Sequence, residues 1–108
     1  MSRNLQSEII TRACQLLEDR KRWTRDASAR DPSGRKCTPF DDRAVRYCAY
    51  GALLLSAYQV TGCRKRAEKL TRMTERMVTG ETRLSQVNDK RGYRAVLRLI
   101  EAASQGVQ

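Results

Sequence analysis

Lys65, Lys69, Arg72 and Arg76 recur at the spacing that places four cations on one face of a helix. A strip of that kind can neutralise several phosphates, and its binding would fall steeply with salt. The same residues also suit a solvated face, with Glu68 one turn before Arg72 offsetting part of the charge. The whole chain leans the same way: 22 Lys and Arg stand against 12 Asp and Glu, a formal charge of +10. Such a surface draws in polyanions, whether nucleic acid, acidic protein or anionic lipid.

Other chemistry is harder to assemble. The chain has no His, which removes the commonest general base and any Ser–His or Cys–His nucleophile. Asp41 and Asp42 are adjacent, and adjacent helical residues do not share a face. No Walker loop or G-x-G-x-x-G turn is present, so no cofactor is expected. The four cysteines, Cys14, Cys37, Cys48 and Cys63, form no C-x-x-C pair, so no metal site is expected. Cys14, Cys48 and Cys63 fall in helical patterns, where a free thiol behaves as a small buried hydrophobe. No apolar leader follows Arg3, and the expectation is a reduced, cytoplasmic protein. Trp23, followed by Thr24, Arg25 and Asp26, is either a stacking platform for a ligand or a cap on one end of the core.

These residues need helices to position them. The strongest signal is the stretch from Tyr47 to Val60, which carries no charge and is apolar all round the helical wheel. A helix like that must be covered on more than one side, and it is too short to cross a bilayer. Thr38, Pro39 and Asp41 carry start signals, so this second helix is expected from Thr38-Pro39-Phe40-Asp41 to about Val60, closed by Thr61-Gly62. Gly51 in its middle calls for a close helix neighbour. A first helix is expected over 4–20, with Leu5, Ile9, Ile10, Ala13, Leu16 and Leu17 as its inner stripe and Ser2 or Asn4 as its cap. The connection over 22–38 holds the turn Asp31-Pro32-Ser33-Gly34, across which Ala27–Arg30 and Arg35–Cys37 could pair as a short hairpin leaning on Trp23 or Phe40.

A third helix is expected over about Cys63–Thr79. Cys63, Ala67, Leu70, Thr74, Met77 and Val78 mark its inner side, and Gly80 its stop. Residues 81–92 read as a polar connection holding Leu84 and Val87. Asn88-Asp89 then cap a fourth helix built on Tyr93, Val96, Leu97, Ile100 and Ala103. The tail, Gly106-Val107-Gln108, is expected to fray. Helices two and three are joined by a short Gly-containing turn, but the second is too long and apolar for a helix-turn-helix positioning helix.

Trp23-Thr24, Ala29-Arg30-Asp31, Gly34-Arg35, the run Cys48-Ala49-x-Gly51-Ala52-Leu53 and Asn88-Asp89 together resemble a family of small uncharacterised bacterial and phage proteins, a domain of unknown function. The resemblance spans roughly Gln6 to Ala103 and departs at Val87, where that family usually carries Trp. It implies a helical fold and no activity. It also marks Trp23, Asp31, Asn88 and Asp89 as one site if their loops meet in space.

The expected fold is a single-domain, all-α four-helix bundle around a central apolar helix, with a short β-hairpin between helices 1 and 2. The expected function is that of a non-enzymatic binding or accessory protein, for which an apolar helix face could form a homodimer, with no membrane partner. Two alternatives stand beside it. One is a nucleic-acid-binding protein using Lys65, Lys69, Arg72 and Arg76. The other is a small-molecule binder or enzyme at the Trp23 and Asn88-Asp89 loops.

Overall fold

The uncharged run does become a buried helix, but only from Ala49. The computed structural model describes residues 5–80 and 82–106. The described residues form five α-helices: α1 (Leu5–Glu18), α2 (Ala49–Thr61), α3 (Arg64–Thr79), α4 (Leu84–Arg91) and α5 (Tyr93–Gly106). Between α1 and α2 lie a 3-10 turn, Arg20–Arg22, and the strands β1 (Ala29–Arg30), β2 (Lys36–Cys37) and β3 (Arg46–Tyr47). The molecule is therefore mostly helical with a small sheet, where a four-helix bundle with a hairpin was expected. No described helix is long and apolar enough to cross a membrane.

Helix α2 is central. It packs against α1, α3 and α4, and Ala49, Ala52, Leu53 and Ala57 are fully buried. From α1, Ile9, Ile10, Ala13 and Leu17 enter the same core, joined by Leu84 of α4 and by Val96 and Ile100 of α5. Expected core positions Leu16, Leu97 and Ala103 are only partly buried at its margin. The proposed Ser2 or Asn4 cap, and the end of the tail, lie outside the described residues.

The second helix starts late because β1 has an open edge. Thr38, Pro39 and Asp41 carry helix-start signals, yet they build two successive turns: Thr38 C=O accepts from the Asp41 amide, and Asp41 C=O from the Ala44 amide. The next residues then reach β1, whose free backbone groups need partners. Val45 N–H donates to Arg30 C=O at 2.9 Å. Arg46 and Tyr47 pair antiparallel with Arg30 and Ala29, while Lys36 and Cys37 pair on the other side. The order is β2-β1-β3. The hairpin thus forms; of the two expected anchors, Trp23 bridges to Tyr47 of the added strand β3, and Phe40, past the end of β2, sits edge-to-face on Tyr58 of α2 at 5.2 Å.

Cys48, the expected core thiol, is buried but acts as the α2 N-cap, its Sγ accepting from the Gly51 amide at 3.3 Å. Sulfur is a weak acceptor, so this start carries no ordinary cap signal. In α3 the buried stripe is Ala67, Thr71, Thr74 and Val78. Cys63 and Met77, expected inside, are exposed. The stripe admits threonines because their hydroxyls are satisfied within the helix. Thr71 donates to Ala67 C=O at 2.6 Å and Thr74 to Leu70 C=O at 2.7 Å. The segment 81–92, expected as a connection, contains α4. Its cap comes from another helix: Glu75 Oε2 accepts from the Leu84 amide at 2.7 Å.

Gly51 does meet a close neighbour, but that neighbour is a loop and not a helix. A Cβ at this position would lie 2.0 Å from Ser28 O and 3.0 Å from Ser28 C. A glycine is required wherever another backbone comes this near. Gly51→Ala should therefore lower stability by about 1–3 kcal/mol in urea unfolding, the usual range for overpacking. At an unconstrained helix site the same change would gain about 1 kcal/mol, so a neutral or stabilised variant would overturn this reading of the contact.

Candidate functional site

Asn88 is fully buried in α4. Its Oδ1 accepts from Trp23 Nε1 at 2.7 Å and from the Ala49 amide at 3.0 Å. Its Nδ2 donates to Thr24 C=O at 3.1 Å and to Asp89 Oδ1 at 3.0 Å. A carboxamide offers two acceptor and two donor positions, and here each is used. Asp89 Oδ1 also accepts from the Asp26 amide at 2.9 Å. Asp26 has φ 64, the one described non-glycine residue with positive φ, a conformation that Asp tolerates better than most residues. Trp23, Asn88 and Asp89 thus meet in space. Asn88-Asp89 are not the cap of the last helix; they lie inside α4.

Asp31 stands apart from this cluster. Its Oδ1 accepts from Ser33 N–H at 2.9 Å, Ser33 Oγ at 2.7 Å and Arg35 N–H at 3.0 Å. The Ser33 hydroxyl, ahead of the backbone amides, holds the Asp31 carboxyl below its ordinary value. Its contribution to the turn is present above the usual carboxylate range and fades as pH falls through the lowered value.

Arg30, present in the sequence only as part of the Ala29-Arg30-Asp31 motif and without an assigned role, links the two regions. Its guanidinium donates to Thr24 Oγ1 at 2.9 Å, Gly34 C=O at 2.9 Å and Arg25 C=O at 3.0 Å. This cation is spent on the loop's backbone, and the loop is held as a frame.

The candidate strip on α3 is exposed at all four positions, Lys65, Lys69, Arg72 and Arg76. Among the described residues none of them forms an ion pair. Those that do form are local, at Glu8–Arg12, Asp19–Arg22 and Asp41–Arg43. The expected Glu68–Arg72 offset is not made. Arg72 and Arg76 also open, with Arg83, onto a cleft of about 970 Å³ beside Tyr50. The carboxylate in its wall, Glu75, is engaged by the Leu84 amide. Burial pushes the Tyr50 phenol above its ordinary value, with Arg72 acting in the opposite sense, so the ring stays neutral as a hydrogen-bonding lip.

Cys14, Glu18 and Glu101 bring three ligand atoms within 4.8 Å of one another. Burial, then the two carboxylates, push the Cys14 thiol up. The described cysteines are all free.

These features define a mostly helical domain with a small three-stranded sheet, a buried carboxamide that ties the Trp23-Thr24 loop to the start of α2, and, among the described residues, exposed cations without a carboxylate partner. Residues 1–105 match the model of a Family of unknown function (DUF6197), and the chain belongs to that family. No curated protein and no solved structure matches it significantly.

Within this frame, the residues of the Cys-Ala-x-Gly-Ala-Leu run have structural work. Cys48 caps α2, the Ala49 amide meets Asn88, Gly51 admits Ser28, and Leu53 fills the core. Val87 is buried with them, and the ring that pairs with Trp23 is Tyr93, edge-to-face at 5.7 Å. Asn88→Ala would strand the Trp23 and Ala49 donors and the Thr24 carbonyl. A loss of about 3–5 kcal/mol is expected, at about 1–3 kcal/mol for each buried group left unsatisfied. Chemical unfolding measures it, and a loss below about 1 kcal/mol would remove Asn88 from this role.

Proposed function

We propose that the protein is a non-enzymatic binding protein whose partner is nucleic acid, engaged through the α3 strip and the cleft that continues it. One observation carries the reading: Lys65, Lys69, Arg72 and Arg76 are exposed and none of them is paired with a carboxylate among the described residues. Charges held in surface ion pairs add little to attraction at a distance. Unpaired ones focus the field and release counterions when phosphates replace them. Arg83 extends the strip toward the start of α4, and Tyr50 offers a hydroxyl beside it.

Phosphate contacts of this kind position a strand without reading its sequence, so generic binding is the expected mode. The free cysteines fit the reducing cytoplasm of a bacterial or phage-infected cell, and that setting belongs to the same reading.

Fluorescence anisotropy with duplex DNA, single-stranded RNA and polyglutamate at several salt concentrations tests the proposal. Four phosphates neutralised on a duplex give a slope of log affinity against log salt near about −3.6, at about −0.9 for each. The Lys69→Ala, Arg72→Ala double variant should reduce that slope by about 2. Absence of binding at about 50 mM salt, or a preference for polyglutamate, would overturn it.

A further inference from the structure

A second cationic surface lies at the α4–α5 junction, and no residue of the α3 strip lines it. It is an open groove of about 430 Å³ lined by Arg20, Arg25, Arg91 and Arg94. Its floor is the ring pair of Trp23 and Tyr93, and no carboxylate lines it.

The floor is rigid. Trp23 is fixed by its Nε1 bond to Asn88 at 2.7 Å, and the Tyr93 hydroxyl donates to Leu17 C=O at 2.6 Å. The Arg20 guanidinium lies 5.3 Å from the Tyr93 ring centroid, and that of Arg25 lies 5.6 Å from the Trp23 centroid. Cation–π contact orients a guanidinium without consuming its N–H donors. The backbone of Arg25 is set as well. Its carbonyl is held by Arg30, and the next residue, Asp26, is held at positive φ by Asp89. Opposite, Gly92 leaves room for this side chain: a Cβ there would come within 3.2 Å of Arg25 Nη2.

Four exposed arginines thus line one groove with no carboxylate within ion-pair distance of them among the described residues. Like charges brought together repel, and a planar fork of N–H donors matches phosphate oxygens in pairs. We propose that this groove is a separate binding site for a terminal phosphate or diphosphate group. A guanidinium already lies over each ring, so recognition is assigned to the phosphate and not to a stacked base. A free nucleotide and the phosphorylated end of a strand both present that chemistry. This site is independent of the α3 strip, and either could exist without the other.

Trp23 is the sole tryptophan of the chain, so its fluorescence reports on the groove directly. The full-length protein is titrated at constant ionic strength with pyrophosphate, adenosine monophosphate, adenosine, and one oligonucleotide bearing either a 5′-phosphate or a 5′-hydroxyl. A saturable change is expected with the phosphate-bearing probes and none with adenosine. A preference for the phosphorylated oligonucleotide over the monophosphate identifies a strand end as the source; the reverse identifies a free nucleotide. Arg91→Ala and Arg94→Ala lie away from the Trp23 cation–π contact, and each should weaken binding about tenfold. Lys69→Ala with Arg72→Ala should leave it unchanged, which separates this site from the α3 strip. Thermal melting by circular dichroism confirms that each exposed substitution leaves the fold intact. No saturable response to pyrophosphate, or an undiminished response in the folded Arg91→Ala, Arg94→Ala double variant, would overturn the proposal.

Discussion

The Asn88 carboxamide makes four hydrogen bonds in a place closed to water, and the arrangement of the chain around it follows from that. A buried amide is costly when any of its positions is empty. Satisfying this one takes the indole of Trp23, the carbonyl of Thr24, the first amide of α2 and the carboxylate of Asp89. Three segments distant in sequence are thereby brought to fixed separations. The start of α2, the loop after α1 and the middle of α4 cannot shift independently without leaving a buried group unpaired.

That constraint reaches the surface through short steps. Asp89 holds the Asp26 amide, Asp26 adopts a left-handed backbone, and Arg25 projects beside Trp23. Arg30 ties the same loop to Gly34, at the tip stabilised by Asp31. The polar interior therefore acts as a support for exposed arginines. The α3 strip is simpler, since a regular helix alone sets its spacing. The two cationic regions differ in origin: one comes from helical periodicity, the other from loop geometry imposed by the core.

The parts of the fold that could be read directly are those governed by local periodicity. Helix α3 ends where Gly80 stops it, and α1 and α5 bury the centres of the stripes that their apolar spacing marks, Ile9, Ile10, Ala13 and Leu17 in one and Val96 and Ile100 in the other. The α2 boundary was not readable. Its start signals at Thr38 and Asp41 are real local preferences, yet β1 needed a partner and the chain supplied Arg46 and Tyr47. Nor was α4 visible, because its cap is the Glu75 side chain of a different helix, and Asn88-Asp89 has the composition of a helix start. Of the candidate site residues, Trp23, Asn88 and Asp89 do cluster, whereas Asp31 serves a turn of its own.

Composition and periodicity by themselves determined a helical domain with an uncharged central helix and a cationic exterior, because burial and net charge depend on residue type and spacing alone. Only the tertiary structure decided that Gly51 faces a loop carbonyl, that a buried amide ties the Trp23-Thr24 loop to the start of α2, and that Arg20, Arg25, Arg91 and Arg94 share one groove. Each of those relations joins residues far apart in the chain. Such pairings are fixed by the need to satisfy buried polar groups and to exclude overlap once the core has closed, and no local pattern carries that information.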